Sequence, residues 1–136
     1  MVEDVSPQQT WEALASRPEA ALCDVRTEAE WTFVGLPDLA ELAKEVSLIP
    51  WQVYPSMAHN PGFVAQLAEA GLTPEHRIFF LCRTGGRSRA AALAAEAAGF
   101  PYCYNVADGF EGPVDPAGHR GTVAGWKASD LPWRQR

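Results

Sequence analysis

Short apolar runs alternate along this chain with segments that begin like helices. Residues 20–25 and 77–81 are the clearest strands, because both runs are short, mostly apolar and of the kind that is buried in parallel sheets. Weaker apolar runs predict further strands that end at Val5 and that span 47–50 and 102–106. Strands that alternate with helices at this spacing predict an α/β domain with a mostly parallel sheet.

The helices are predicted from their start signals. Ser6–Gln9 and Thr27–Glu30 each place a hydroxyl side chain three positions before Gln or Glu, which is the pattern of a capping box. Asn60–Pro61 predicts an N-cap followed by the first residue of another helix, which should end near Gly71. The alanine-rich segment 88–98 predicts the last helix of the domain.

Polar residues follow two of the predicted strands. Asp24 and Arg26 lie at the end of one strand, and the segment Cys82–Ser88 follows another. Functional sites of open parallel sheets lie at the carboxyl ends of the strands. We therefore expect Cys82–Ser88 to carry the chemistry and Asp24 and Arg26 to brace it, with Arg26 paired to Glu30 on the following helix.

The segment Cys82–Ser88 has the features of an anion-binding loop. Cys82 directly follows a strand and precedes a helix, whose first turn presents unpaired N–H groups and a partial positive charge. Gly85 and Gly86 allow the backbone between strand and helix to curl, so that its amides turn inward as a nest for an anion. Such a nest fits a bound sulfur anion, a sulfate-like group or a phosphate.

Three arginines, Arg83, Arg87 and Arg89, add positive charge to this loop. A cysteine in such surroundings is favoured as the reactive thiolate. Only four residues separate Cys82 from Arg87. Cysteine-dependent phosphatases use one more residue, and position 88 is Ser rather than Arg. A phosphatase or an arsenate reductase is therefore disfavoured, and the smaller cup suits one extra sulfur atom on the thiolate.

These residues resemble the rhodanese family. The similarity extends over about residues 5–133 and includes the active-site loop Cys82–Ser88. Other family features occur in the expected order: Asp24–Arg26 followed by Glu30-Trp31, Asn60-Pro61 with Phe63, Ala98-Gly99-Phe100, and Asn105 through Gly109-Phe110 to Trp126.

The resemblance implies a single rhodanese-like domain over 1–136, a three-layer fold with a central five-stranded, mostly parallel sheet flanked by helices. It also implies a thiosulfate sulfurtransferase. Cys82 would take sulfane sulfur from thiosulfate or a similar donor as a persulfide and pass it to cyanide, a thiol or a protein cysteine. The residues implied to bind substrate and persulfide are Arg83, Thr84, Gly85, Gly86, Arg87 and Ser88. The alternative, from a different functional class, is a regulatory module that binds a partner protein without catalysis.

Two segments depart from the family pattern. Residues 36–47 replace the usual sequence after Gly35 and add residues before Ile49, and they allow only a turn or two of helix. A longer Gly/Pro-rich insert spans 111–125. We expect both segments to lie at the rim of the active loop, where they would affect the choice of substrate more than the chemistry.

Composition and charge limit the classes of partner that we expect this protein to bind. The chain has 136 residues, of which 47% are hydrophobic, and a formal net charge of −6, which disfavours nucleic acid and anionic membranes. The acidic amino terminus and the lack of a long apolar run predict a cytoplasmic protein. We expect Cys23 and Cys103 to be buried structural thiols, with a sulfur relay through Cys103 as the weaker alternative. The three histidines show no ligand spacing, so no metal or other cofactor is predicted.

Overall fold

The structure is a computed structural model that describes residues 2–136. Its strands, in chain order, are β1 (Glu3–Val5), β2 (Ala20–Asp24), β3 (Leu36–Pro37), β4 (Ser47–Leu48), β5 (Gln52–Val53), β6 (Ala58–His59), β7 (Arg77–Leu81), β8 (Cys103–Val106) and β9 (Trp133–Arg134). Its helices are α1 (Pro7–Ser16), α2 (Glu28–Phe33), α3 (Phe63–Glu69) and α4 (Gly86–Ala97), with one 3-10 turn at Ala40–Leu42.

A five-stranded sheet forms the centre of the described residues 2–136. Its order is β1–β8–β7–β2–β4, and every neighbouring pair is parallel. Two short antiparallel pairs, β3 with β9 and β5 with β6, lie outside it. The predicted α/β architecture, with a five-stranded parallel sheet flanked by helices, is confirmed.

The central strand β7 explains the layers on either side of the sheet. Because successive side chains of a strand point to opposite faces, Ile78 and Phe80 share one face and Phe79 and Leu81 share the other. Ile78 and Phe80 pack in one apolar cluster with residues of α3 and α4. Phe79 and Leu81 pack in a second cluster with Leu14 of α1 and with the carboxyl-terminal segment. The continuous apolar run is therefore the signature of a strand that is covered on both faces.

Two of the predicted helix starts are confirmed, and a third is wrong. Both capping boxes, at the starts of α1 and α2, form with reciprocal hydrogen bonds. Asn60 is not an N-cap, because α3 begins at Phe63 after Gly62. The Asn60 carboxamide instead accepts from the Gly62 amide at 3.1 Å and donates to Gln66 and to the carbonyl of Pro50. These bonds hold Asn60 in a turn that precedes the helix.

The middle of the 36–47 segment lies away from the active loop, so the expectation that the segment forms the rim of that loop does not hold for this part. The Lys44 ammonium donates to the carbonyls of Arg17 and Ala20 at 2.8 and 2.7 Å. Ala20 is the first residue of β2, so Lys44 lies at the amino-terminal end of the sheet, opposite the end where Cys82 is found. The part of the segment around Lys44 therefore lies away from the active loop, whereas Ser47 pairs with Cys23 near the carboxyl end of β2.

No helix within residues 2–136 combines the length and the apolar character that crossing a membrane requires.

Candidate active site

Cys82 lies where β7 ends and is covered by the loop that leads to α4. Its side chain is buried, with 1% of the residue exposed. The amide of Gly85 donates a hydrogen bond to the Cys82 sulfur at 3.0 Å. Gly85 has a φ of +113°, which only glycine adopts without strain. The loop thus aims one backbone N–H at the sulfur, directly before the first residue of α4.

The second glycine of the loop has a different role from the first. Gly86 begins α4, its φ is not in the left-handed range, and a Cβ built on it meets no atom within 4 Å. Gly85 is therefore required by backbone conformation, whereas Gly86 keeps the space at the helix start open. Thr84 is exposed beside it.

Ser88 and Asn105 extend the polar surroundings of the sulfur. The Ser88 hydroxyl lies 3.2 Å from the Cys82 sulfur and 2.5 Å from Oδ1 of Asn105. The Asn105 nitrogen donates to the Gly85 carbonyl at 3.1 Å and to the Asp4 carboxylate at 3.0 Å. Sequence reasoning did not assign Asn105 to the site. The available signal was that Asn105 is a polar residue within the otherwise apolar strand β8. In the structure, β8 is the neighbour of β7.

Arg87 is joined to α2 by an ion pair. Its guanidinium donates to both carboxylate oxygens of Glu30, at 2.7 and 2.9 Å, and each side chain is 20% exposed. Burial alone would raise the pKa of Glu30, but the hydrogen bonds and positive charge of Arg87, with help from Thr27, hold that pKa below its usual value. The hydrogen bond to Glu30 likewise raises the pKa of Arg87. This pair attaches the start of α4 to the start of α2.

The other two arginines are more exposed. Arg89 pairs with the Asp4 carboxylate at 3.0 Å. Arg83 is exposed, and no carboxylate of residues 2–136 forms an ion pair with it. Of the three predicted charges on the loop, Arg83 is the one not already compensated by an acid of the described chain.

The expected pair between Arg26 and Glu30 is wrong. Arg26 binds Asp24 instead, with its Nη2 2.7 Å from Oδ2, and both side chains are fully buried. The same Nη2 donates to the Gly35 carbonyl at 2.8 Å. Because α2 is capped by Thr27, Arg26 precedes the helix, and the helical spacing to Glu30 does not apply.

Arg26 supports the active loop indirectly, through Phe110. Its guanidinium lies 4.2 Å from the centre of the Phe110 ring. The amide of Phe110 donates to the Cys82 carbonyl at 2.8 Å. Asp24 and Arg26 are thus linked to the Cys82 backbone through Phe110, a contact that the sequence did not reveal, and their supporting role in the site stays a prediction.

The 111–125 insert contacts the active loop, as expected. The amides of Glu111 and Gly112 donate to the Arg83 carbonyl at 3.0 and 3.2 Å. Directly before the insert, Gly109 lies so close to the loop that an added Cβ would overlap the Cys82 carbonyl and would come within 2.6 Å of the Arg83 carbonyl carbon. The first two residues of the insert therefore hold the backbone of the active loop at Arg83.

The other two cysteines, Cys23 and Cys103, form no disulfide with Cys82. Both are buried and unbridged. Burial raises the pKa of Cys23 well above its usual value and that of Cys103 to about 12. Cys103 pairs in register with Ile78, four residues before Cys82 on β7, a separation of about 13 Å along the strand. That exceeds the reach of a disulfide, which disfavours a direct sulfur relay.

No group of three or more His, Cys, Asp or Glu side chains within residues 2–136 is arranged to hold a metal ion.

Comparison with known proteins identifies the family. The family model of the STR4 middle domain matches residues 3–136. The crystal structure of Rv0390 from M. tuberculosis is 48% identical, with a TM-score of 0.90, and the match covers 99% of this chain and 98% of that one. The chloroplastic protein "thylakoid rhodanese-like" of Oryza sativa subsp. indica is 31% identical over 130 residues, which are 95% of this chain and 24% of that protein.

A more distant structure shares the fold. The polysulfide-sulfur transferase homodimer from Wolinella succinogenes is 23% identical, with a TM-score of 0.67, over 99% of this chain and 80% of that chain. At that identity the likeness concerns the fold alone. The chain belongs to the STR4 middle-domain family and has a rhodanese-like fold.

Proposed function

We propose that this protein is a sulfurtransferase that moves sulfane sulfur from thiosulfate, or a similar donor, to a thiophilic acceptor through a persulfide on Cys82. The family relation supports sulfur chemistry with a sulfur donor and a thiol acceptor in general terms. The observation that carries the proposal is the hydrogen bond from the Gly85 amide to the Cys82 sulfur, 3.0 Å long, at the start of α4.

The reaction has two displacements at sulfur. In the first, the Cys82 thiolate attacks the outer sulfur of thiosulfate, a new sulfur–sulfur bond forms, and the bond to the sulfonate sulfur breaks. Sulfite leaves with the electron pair of that bond, and the enzyme holds Cys82–S–S⁻. In the second, cyanide or a thiolate attacks the outer sulfur, the persulfide bond breaks, and Cys82 leaves as the thiolate. No oxidant or reductant is required beyond donor and acceptor.

The loop supplies what this reaction needs electrostatically. A negative charge resides on sulfur in the attacking thiolate and on the outer sulfur of the persulfide. The Gly85 N–H and the partial positive charge at the start of α4 stabilise an anion at that point. Gly86 leaves open space at the start of α4, because a Cβ there would meet no atom within 4 Å.

Arg83 is the group we assign to the donor's sulfonate. It is exposed next to Cys82, and within residues 2–136 it has no ion-pair partner to give up. Arg87 is already bound to Glu30 through both of its terminal nitrogens. We therefore assign Arg87 to holding the loop closed rather than to contacting the substrate.

The test is the formation of thiocyanate from thiosulfate and cyanide. We expect turnover by the wild-type protein, none by Cys82→Ser, and unchanged turnover by the matched control Cys103→Ala, which removes a buried thiol remote from the loop. Circular dichroism should show that all three proteins are folded. Equal turnover in Cys82→Ser would rule out the persulfide route. A folded wild-type protein that turns over no sulfur donor would favour the partner-binding module instead.

A further inference from the structure

One side chain outside the active loop contacts both polar neighbours of the Cys82 sulfur. Asn105 is 3% exposed on β8 and touches Ser88 with its oxygen and Gly85 with its nitrogen. Those two residues are the hydrogen-bond partners of the sulfur itself. Asn105 is therefore in a position to control the surroundings of Cys82 without touching it.

The direction of each hydrogen bond follows from the Asn105 amide. One arm faces two acceptors, the Gly85 carbonyl and the Asp4 carboxylate, so that arm must be the nitrogen. The other arm is then the oxygen, which can only accept, so the Ser88 hydroxyl must donate to it. A hydroxyl has one proton, and it is used in this bond. Ser88 consequently presents only a lone pair to the sulfur of Cys82, and the thiol proton is the donor between them.

We propose that Asn105 is a positioning residue for Cys82, which fixes the Ser88 hydroxyl as a hydrogen-bond acceptor toward the thiol and binds the carbonyl of Gly85, the residue whose own N–H faces the same sulfur. The Arg89 amide also donates to that carbonyl, at 3.2 Å, so the Gly85 backbone keeps a partner when Asn105 is replaced. The thiolate then receives a hydrogen bond from Gly85 but not from Ser88, unless Ser88 leaves Asn105. When Asn105 is removed, the Ser88 hydroxyl is free to donate to the sulfur. The thiolate gains a hydrogen bond, and Cys82 ionises at a lower pH.

Replacing Asn105 by a neutral residue acts on Cys82 through hydrogen bonds, because it leaves every nearby charged side chain in place. The charged side chains on the elements packed around Cys82 are Glu3 and Asp4 on β1, Asp24 and Arg26 at the end of β2, Glu28 and Glu30 on α2, Arg77 on β7, Arg83 on the loop, Arg87, Arg89 and Glu96 on α4, and Asp108 and Glu111 after β8. A neutral substitution at Asn105 removes none of them.

The experiment measures the rate at which iodoacetamide alkylates Cys82 in the full chain as a function of pH, with intact-mass detection of the product. For Asn105→Ala we expect the pH midpoint of the rate to fall by about one unit, which is a tenfold change in the ionisation equilibrium and the usual size of a hydrogen bond to a charged group. Asn105→Leu, which is closer in volume and cannot form a hydrogen bond, should give the same shift and serves if the alanine variant does not fold.

Two further variants distinguish a positioning role of Asn105 from a general loss of stability. In a Ser88→Ala background, the same Asn105→Ala change should no longer lower the midpoint, because the hydroxyl that it releases is absent. Asn60→Ala removes another buried carboxamide, whose partners are Pro50, Gly62 and Gln66, and should leave the midpoint at the wild-type value. No shift in the Asn105 variants, a shift upward, or an equal shift in the Ser88→Ala background would overturn the inference.

The inference rests on the proposed function only in taking Cys82 as the reactive thiol. Alkylation needs no sulfur donor, so its pH dependence is read whether or not thiosulfate is turned over. Failure of the sulfur-transfer assay with the predicted alkylation shift would leave the positioning role intact. The reverse result would leave the sulfurtransferase intact and remove the role of Asn105.

Discussion

The ion pair between Glu30 and Arg87 can be tested by the single change Glu30→Gln. Glutamine retains an oxygen that can accept from Thr27, so the capping box at the start of α2 is preserved. The change removes the carboxylate charge and one of the two hydrogen bonds from Arg87, which are 2.7 and 2.9 Å long. The loss is therefore specific to the contact that joins α4 to α2.

The size of the effect follows from the geometry. A hydrogen bond to a charged group contributes about 1.5–3 kcal/mol when it is sheltered from water. Both side chains are 20% exposed, so the lower part of that range applies. A carboxylate in the first turn of a helix adds about 0.5 kcal/mol through the helix dipole. We expect Glu30→Gln to lower the free energy of unfolding by about 2 kcal/mol at neutral pH.

The effect should depend on pH with a definite sign. The pKa of Glu30 is lower in the folded protein than in the unfolded chain, so the stabilisation is fully present above the unfolded pKa, about 4.3. It is lost as the pH falls through the lower, folded pKa. Urea unfolding of both proteins at a series of pH values should therefore show a difference that is constant near neutrality and shrinks below about pH 4.

Glu28→Gln is the matched control on the same helix. Glu28 also lies in the first turn of α2, so its loss removes the same interaction with the helix dipole. Within residues 2–136 its one ion pair is with Arg136, at 3.5 Å, and its side chain is 79% exposed. We expect a loss of about 0.5 kcal/mol. Equal losses in the two variants, or a Glu30 difference that persists in acid, would refute the reasoning.

Three other predictions follow from the site. Gly109→Ala should lower the free energy of unfolding by about 3 kcal/mol in urea, since its Cβ would overlap the loop backbone and its φ of +62° adds strain. Arg83→Ala should raise the KM for thiosulfate about threefold, as expected for loss of an exposed ionic contact. Near pH 8, alkylation of the native protein should modify Cys82 and spare Cys103, whose pKa is raised to about 12, and Cys23, whose pKa burial also raises.

Each of these has its own control. Gly71 also has a positive φ, +88°, but a Cβ there meets no atom within 4 Å, so Gly71→Ala should cost only about 1 kcal/mol. An equal cost at both glycines would contradict the close approach to the loop. Arg17→Ala removes an exposed arginine distant from the loop and should leave the KM unchanged. Unfolding in urea should make all three cysteines reactive, and incomplete labelling there would exclude burial as the reason for their protection.

The features that could be predicted from the sequence are those set by near neighbours in the chain. The capping boxes at Ser6 and Thr27 form because each joins residues three positions apart. The active loop is equally local, since Cys82 follows an apolar strand and Gly85 alone adopts the required φ. Asn60–Pro61 has the same kind of signal, but bonds of Asn60 to Pro50 and Gln66 hold it outside the helix.

The features that could not be predicted depend on which strands and helices are neighbours in space. Glu30 and Arg87 are 57 positions apart, and Asp4 and Asn105 are 101 apart. Their contacts exist because β1, β8 and β7 lie side by side with α2 beside the active loop, an order that no local pattern specifies. The single-domain organisation and the cytoplasmic location stay predictions from the sequence.

The most direct test of the account is the mass of the intact protein after incubation with thiosulfate and removal of the excess. We predict that the wild-type protein and Cys103→Ala each gain the mass of one sulfur atom, that Cys82→Ser gains nothing, and that cyanide returns the adducts to the starting mass. An adduct that forms equally in Cys82→Ser, or none in the folded wild-type protein with any sulfane donor, would contradict a persulfide on Cys82.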